Sequence, residues 1–275
     1  MEKIKVLFVS QEITPYLPES NIADIGRHLP QGIQERGREI RTFMPKYGVI
    51  NERRNQLHEV IRLSGMNLII NDSDHPLIIK VASIQSARMQ VYFIDNDDYF
   101  QRKNVLTDEE GNYFPDNDER LIFFARGVLE TVKKLRWSPD VVHCHGWFTC
   151  LVPLYLKKAF REDPLFHESK IIYSVYNDGF SGLLNKGFHE KIFIEGVSES
   201  DVEIVKKPNL VNINKLAISM SDAVVFGEEN VDPEIEKYVI DSGVPILKYK
   251  EDVQYIDTYN SFYNQILEES YVVSK

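Results

Sequence analysis

PDVVHCHGWFTCLVPLYLK, residues 139–157, changes character halfway along. Val141 and Val142, behind Asp140, read as a strand buried on both faces. Leu151, Leu154 and Tyr155 read as an apolar helix. His143, His145 and Trp147 stand between the two. In an α/β sheet, ligands bind beyond the carboxyl ends of the strands, so two imidazoles and an indole at such an edge are placed where chemistry would occur.

The start of the chain has the same organisation. Ile4–Val9 is an apolar run. Ile22, Ile25, Leu29 and Ile33 then recur at helical spacing, Gly37 ends the helix, and Ile40–Met44 is a second strand closed by Pro45. This β-α-β opening predicts a doubly wound parallel sheet. Residues 57–94 lack helical periodicity, and Leu77–Val81 and Gln90–Ile94 read as hairpin strands added to that sheet. A helix is expected over Asp118–Leu135, capped by Asp116 or Asn117. Lys170–Tyr176 and Ala223–Phe226 read as strands, Asn209–Ser219 and Pro233–Ile240 as helices. Pro245 confines any strand over Val244–Leu247 to a sheet edge or a strand start. Two long loops, residues 95–117 and 177–208, remain.

The 275 residues suit one large α/β domain or two small ones. A net charge of −10 argues against a nucleic-acid or anionic-membrane partner. No apolar run approaches the ~20 residues of a membrane span, and MEKIKVLFVSQE lacks the apolar core of a signal peptide. Cys144 and Cys150 are the only cysteines and do not form a CxxC pair, which fits a reducing cytoplasm.

The residues at the strand ends narrow the chemistry. A phosphate-cradling loop needs glycines before its helix; here the first glycine is Gly26, and Glu19 would repel an anion. A capped helix with no phosphate site is therefore expected, and no cofactor. His143 and His145 share one face of a strand and Cys144 faces away. With no separated second ligand pair, no metal site is expected. Gly146 rather than an acid follows His145, so an orienting carboxylate is missing and His145 reads as a structural imidazole. Trp147, Phe148, Tyr176 and Phe180 suit either a sugar-stacking cleft or ordinary core.

Taken in order, KVLFVSQEITPY, IADIGRHLPQGIQERGREIRTFMPKYG, DNDDYF, YFPDNDERLIFFARGVLE, SPDVVHCHGWFTCLVPLYLK, SVYNDGFSG and NLVNINKLAISMSDAVV resemble the N-terminal half of bacterial glycogen and starch synthases from about Lys3 to Val225. Those are GT-B glycosyltransferases that extend an α-1,4-glucan from ADP-glucose. The resemblance implies a Rossmann-like α/β fold: one GT-B N-terminal-type domain over residues 1–275, with β-hairpin additions and a C-terminal packing helix. It places Asp24, His143, His145, Trp147, Tyr176, Asn177 and Phe180 in a glucan-binding cleft. The family's Lys-Thr-Gly-Gly-Leu run reads Pro18-Glu19-Ser20-Asn21-Ile22 here, and Leu106 stands where the family has a loop tyrosine. Gly146 replaces the family Asp, and Tyr176 replaces its catalytic His. The donor-binding second half has no counterpart in this sequence.

These departures predict a catalytically silent protein whose partner is an α-glucan or another enzyme of glycogen metabolism. The alternatives are a glucosyltransferase completed by a partner chain, or a regulatory subunit without sugar affinity. The final helix, Asp252–Glu269, carries Val253, Ile256, Tyr259, Tyr263, Ile266 and Leu267 on one side. It is expected to pack back on the domain and leave the cleft edge near His145 open to solvent.

Overall fold

The structure, a computed structural model, describes residues 3–249, 251 and 254–273, those beyond 268 as backbone only. Asp252, Val253 and the side chain of Glu269 lie outside the described residues. The elements run β1 (Lys5–Ser10), α1 (Asn21–Glu35), β2 (Glu39–Pro45), β3 (His58–Glu59), β4 (Met66–Ile70), β5 (Ser73–Ile84), β6 (Met89–Asp95), α2 (Asp97–Phe100) and α3 (Asn117–Leu135). They continue with β7 (Val141–His145), α4 (Leu151–Lys158), β8 (Lys170–Val175), α5 (Phe188–Lys191), α6 (Glu199–Val202), α7 (Leu210–Ser219), β9 (Ala223–Phe226), α8 (Pro233–Ser242), β10 (Ile246–Leu247) and α9 (Tyr255–Val273).

The sheet order is β10-β9-β8-β7-β1-β2-β6-β5-β3, with β4 paired to β5. From β10 to β6 the pairing is parallel, and β5 adds β3 and β4 as antiparallel extensions. The chain winds outward from β1 in both directions. The crevice beyond the carboxyl ends of β1 and β7 is therefore the topological switch point, where doubly wound sheets bind ligands. Ser10 and His145 pair across it. As the proline required, β10 is an edge strand.

Two apolar layers sandwich the sheet. One holds α3, α4 and α7 against residues such as Leu7, Val9, Val142 and Tyr173. The other holds α1 and α9 against Val6, Phe8, Val141, Ile172 and Val225. The hydroxyl of Ser20 caps α1 by accepting from the backbone of Ala23 at 3.1 Å. On α9, Tyr259, Phe262, Tyr263 and Ile266 are buried against Leu29 and Ile33 of α1 as well as the sheet. Each such side chain contributes ~1.5–3 kcal/mol when fully buried. Gly32 makes the crossing possible, since a Cβ there would lie 2.6 Å from Cγ2 of Ile256. Arg38 clamps the helix from below, with Nε 2.6 Å from Oδ1 of Asn260 and Nη2 2.7 Å from Oδ1 of Asn264. The expected C-terminal packing helix is thus present in cis.

One local expectation is corrected. Asp116 occupies the N-cap of α3 but makes no capping bond, because its carboxylate is paired with Arg102. The loop over residues 95–117 is fastened by buried Arg120, which donates to the carbonyls of Tyr99 and Val105, each at 2.8 Å, and to Oδ1 of Asn117.

Candidate functional site

The strand ends at the switch point carry two distinct arrangements. The first is a buried polar chain. Nδ1 of His143 lies 2.7 Å from the Tyr263 hydroxyl, and its Nε2 lies 2.7 Å from Oγ of Ser174. Nδ1 of His145 lies 2.9 Å from the Tyr176 hydroxyl, while its Nε2 is buried without a partner. The two imidazoles lie side by side on one strand face, tilted 37° to each other with centroids 3.9 Å apart. Burial pushes the His145 imidazole down to about 3 and holds His143 well below its ordinary value, with His145 adding to the effect. Both rings are therefore neutral near pH 7. Burial raises Tyr176 well above an ordinary phenol, so its proton stays on.

His143, His145 and Tyr176 are 0%, 0% and 4% exposed. The expectation of an open cleft edge at His145 is corrected: α9 lies over this face of the sheet, with Tyr263 bonded to His143, and Tyr176 closes over His145. Nothing in the strand itself announced this, because the covering residues are remote in sequence.

Gly146 has a φ of +85°, a conformation that strains any L side chain. A Cβ there would also overlap the Gln11 side chain, lying 2.5 Å from its Cδ. Gln11 occupies this space with purpose. Its Oε1 accepts from the backbone of Phe148 at 3.1 Å, and its Nε2 donates to Oδ2 of Asp178 at 2.8 Å. Burial raises the Asp178 carboxyl to about 7, opposed by the Gln11 bond and reinforced by Glu12 and Glu228. Glu12 accepts from the Ser20 hydroxyl at 2.8 Å. Glu228 accepts from Asn21 Nδ2 at 2.9 Å and from the backbone of Asn177 at 3.2 Å. The start of α1 is consequently ringed by carboxylates. Asp24 lies one turn into that helix, half-buried, accepting from Thr14 Oγ1 at 3.3 Å. Asn177 is exposed.

The second arrangement is an open pocket of about 500 Å³ lined by Tyr113, Phe114, Asn117, Trp147, Phe180, Leu184 and Lys186, among others. The Trp147 and Phe180 rings lie 4.8 Å apart, and Tyr113 meets Phe180 edge-on at 6.1 Å. The Tyr113 hydroxyl donates to the carbonyl of Gly179 at 3.2 Å. Of the residues expected in the cleft, Trp147 and Phe180 border this pocket. Tyr113, Asn117, Gln11 and Asp178 were missed. Gln11 and Asp178 had a usable signal, since each lies just past the end of a strand; Tyr113 sits in irregular backbone and had none. Cys144 and Cys150 are buried free thiols, and burial pushes both up.

The layered sheet and its switch-point crevice are those of a Rossmann-like GT-B domain. The catalytic domain of starch synthase IV from Arabidopsis thaliana, bound to ADP and acarbose, matches it with a TM-score of 0.72 over 90% of this chain and 51% of its own, at 16% identity, a likeness of fold. The sequence profile of the starch synthase catalytic domain matches residues 5–244. Glycogen synthase of Chlorobium luteolum is 40% identical over 195 residues, 70% of this chain and 40% of its own. That of Chlorobaculum parvum is 34% identical over 224 residues, 74% of this chain and 46% of its own. The chain belongs to the starch synthase catalytic domain family, and it spans about 40% of the length of the Chlorobium glycogen synthases. Among the described residues no helix is long and apolar enough to cross a membrane.

Proposed function

We propose that this chain is a glycogen-synthase-type domain that binds α-glucan and does not itself transfer glucose, acting in the cytoplasm beside glycogen. The observation that carries this reading is the pairing of an aromatic pocket with a disarmed strand edge. Tyr113, 40% exposed, offers a face of the kind on which pyranose rings stack, backed by the buried rings of Trp147 and Phe180, with Lys186 as a polar neighbour. Beside them, Tyr176 holds its proton near neutrality and cannot exchange it as the family His would. Gln11 fills the space beside Gly146 where the family places its Asp. The carboxylates of Glu12, Glu19 and Glu228 oppose the approach of a sugar-nucleotide diphosphate to α1.

Calorimetric titration with maltoheptaose tests the binding. Weak millimolar-range heat that is lost in Tyr113→Ala and Phe180→Ala is expected. No heat in the parent chain would favour a regulatory subunit without sugar affinity. A second reading is an active glucosyltransferase that a partner chain completes. Incorporation of labelled glucose from ADP-glucose into glycogen separates the two. No turnover above a blank is expected; turnover by the chain alone, or once a second chain is mixed in, would defeat the silent reading.

A further inference from the structure

The sheet edge opposite the candidate site, where β1, β2 and β6 begin and β5 ends, holds a pocket of about 680 Å³. Lys3, Arg38, Arg41 and Arg88 all line it, in a molecule whose net charge is −10. Among its described lining residues the one carboxylate is Glu39, already engaged by the Trp137 indole at 2.5 Å. Arg38 is 9% exposed, and the two α9 asparagines leave its Nη1 buried without an acceptor. Arg41 donates from Nη1 to the Tyr92 hydroxyl at 2.9 Å and lies 5.3 Å over the Trp137 ring, and its Nε is likewise buried without an acceptor. Two guanidinium groups, each with one buried N–H short of an acceptor, therefore line one concavity. Side chains held by stacking and hydrogen bonds keep their forks oriented, and an arginine fork matches a phosphoryl group bidentately.

We propose that this pocket binds the phosphoryl group of a small phosphorylated metabolite, and that through Arg38 its occupancy tightens the seating of α9. A long polyanion such as nucleic acid would meet the repulsion of the whole acidic surface, whereas a single phosphoryl group meets the local basic field. The amides of Gln34, Gln85 and Gln90 on the pocket wall suit a hydroxyl-bearing remainder.

The test is thermal unfolding of the full chain in inorganic phosphate, in glycerol phosphate, and in chloride at matched ionic strength. At ten times the dissociation constant, phosphate should raise Tm by about 3 °C over chloride. Arg88→Ala, at an exposed position, and Arg41→Gln should each weaken binding at least ~10-fold and cut the shift to about 1 °C or less. A larger shift with glycerol phosphate would support a metabolite over the free ion as the ligand. Amide exchange across residues 255–268 should slow when phosphate binds the parent chain. Equal shifts in phosphate and chloride, or an undiminished shift in both variants, would overturn the site. Unchanged exchange in α9 with the Tm shift intact would overturn the coupling.

Discussion

At the scale of single residues, Asp178 makes folding pH-dependent. Its carboxyl is raised from an ordinary 3.8 to about 7 by burial, so the folded state prefers it neutral. Its contribution to stability is full below about pH 4, falls as pH rises toward 7, and is level above that. Asp178→Asn keeps an acceptor for Gln11 and removes the ionisation. It should flatten the Tm profile across that window and stabilise the protein at pH 8 by about 2 kcal/mol, a figure moderated by the partial exposure of the group. Parallel profiles for the two proteins would refute the assignment. Gly146 is the second sensitive position: Gly146→Ala should lower the urea midpoint by the equivalent of ~2 kcal/mol or more. Pairing it with Gln11→Ala should recover the steric part and leave the positive-φ strain. Failure of that pair to recover anything would mean that Gln11 is not what fills the space.

At the scale of elements, α9 is held by apolar burial and by polar contacts that include Tyr263 with His143, Arg38 with Asn260 and Asn264, and Arg36 with Asp257. Tyr263→Phe keeps the ring and strips His143 of a bonded partner in a fully buried setting. It should cost about 1–3 kcal/mol, read from denaturant unfolding. Gly32→Ala adds a good helix former yet drives a methyl into Ile256, so it should destabilise where propensity alone predicts a gain of ~1 kcal/mol. A stabilised Gly32→Ala would show that α9 can shift freely. The apolar face of α9 was legible because helical periodicity is written locally in Tyr259, Tyr263 and Ile266. Its polar clamp was not, because Arg38 and Asn260 are joined only by folding. For the same reason β4 escaped notice: Met66–Ile70 is short and half exposed, and its meaning depends on the β5 partner it pairs with. The parallel strands were readable as apolar runs. The cover over His145 was not, since it comes from a tyrosine more than one element away.

At the scale of the whole molecule, the sheet separates two chemistries. Carboxylates and aromatics gather beyond the carboxyl ends of its strands, and arginines gather at their starts. Cys144 and Cys150 lie between these edges, in and just after the central strand, and neither has any exposed surface. They are the chain's only thiols. With their protons held tightly by burial, neither can meet a labelling reagent unless the centre of the sheet opens. The pair is a built-in clock for the rarest breathing of the molecule. Intact-mass spectra taken during slow alkylation should show chains carrying no adduct or both, with singly modified chains scarce, if the strand and the helix after it come apart as one cooperative unit.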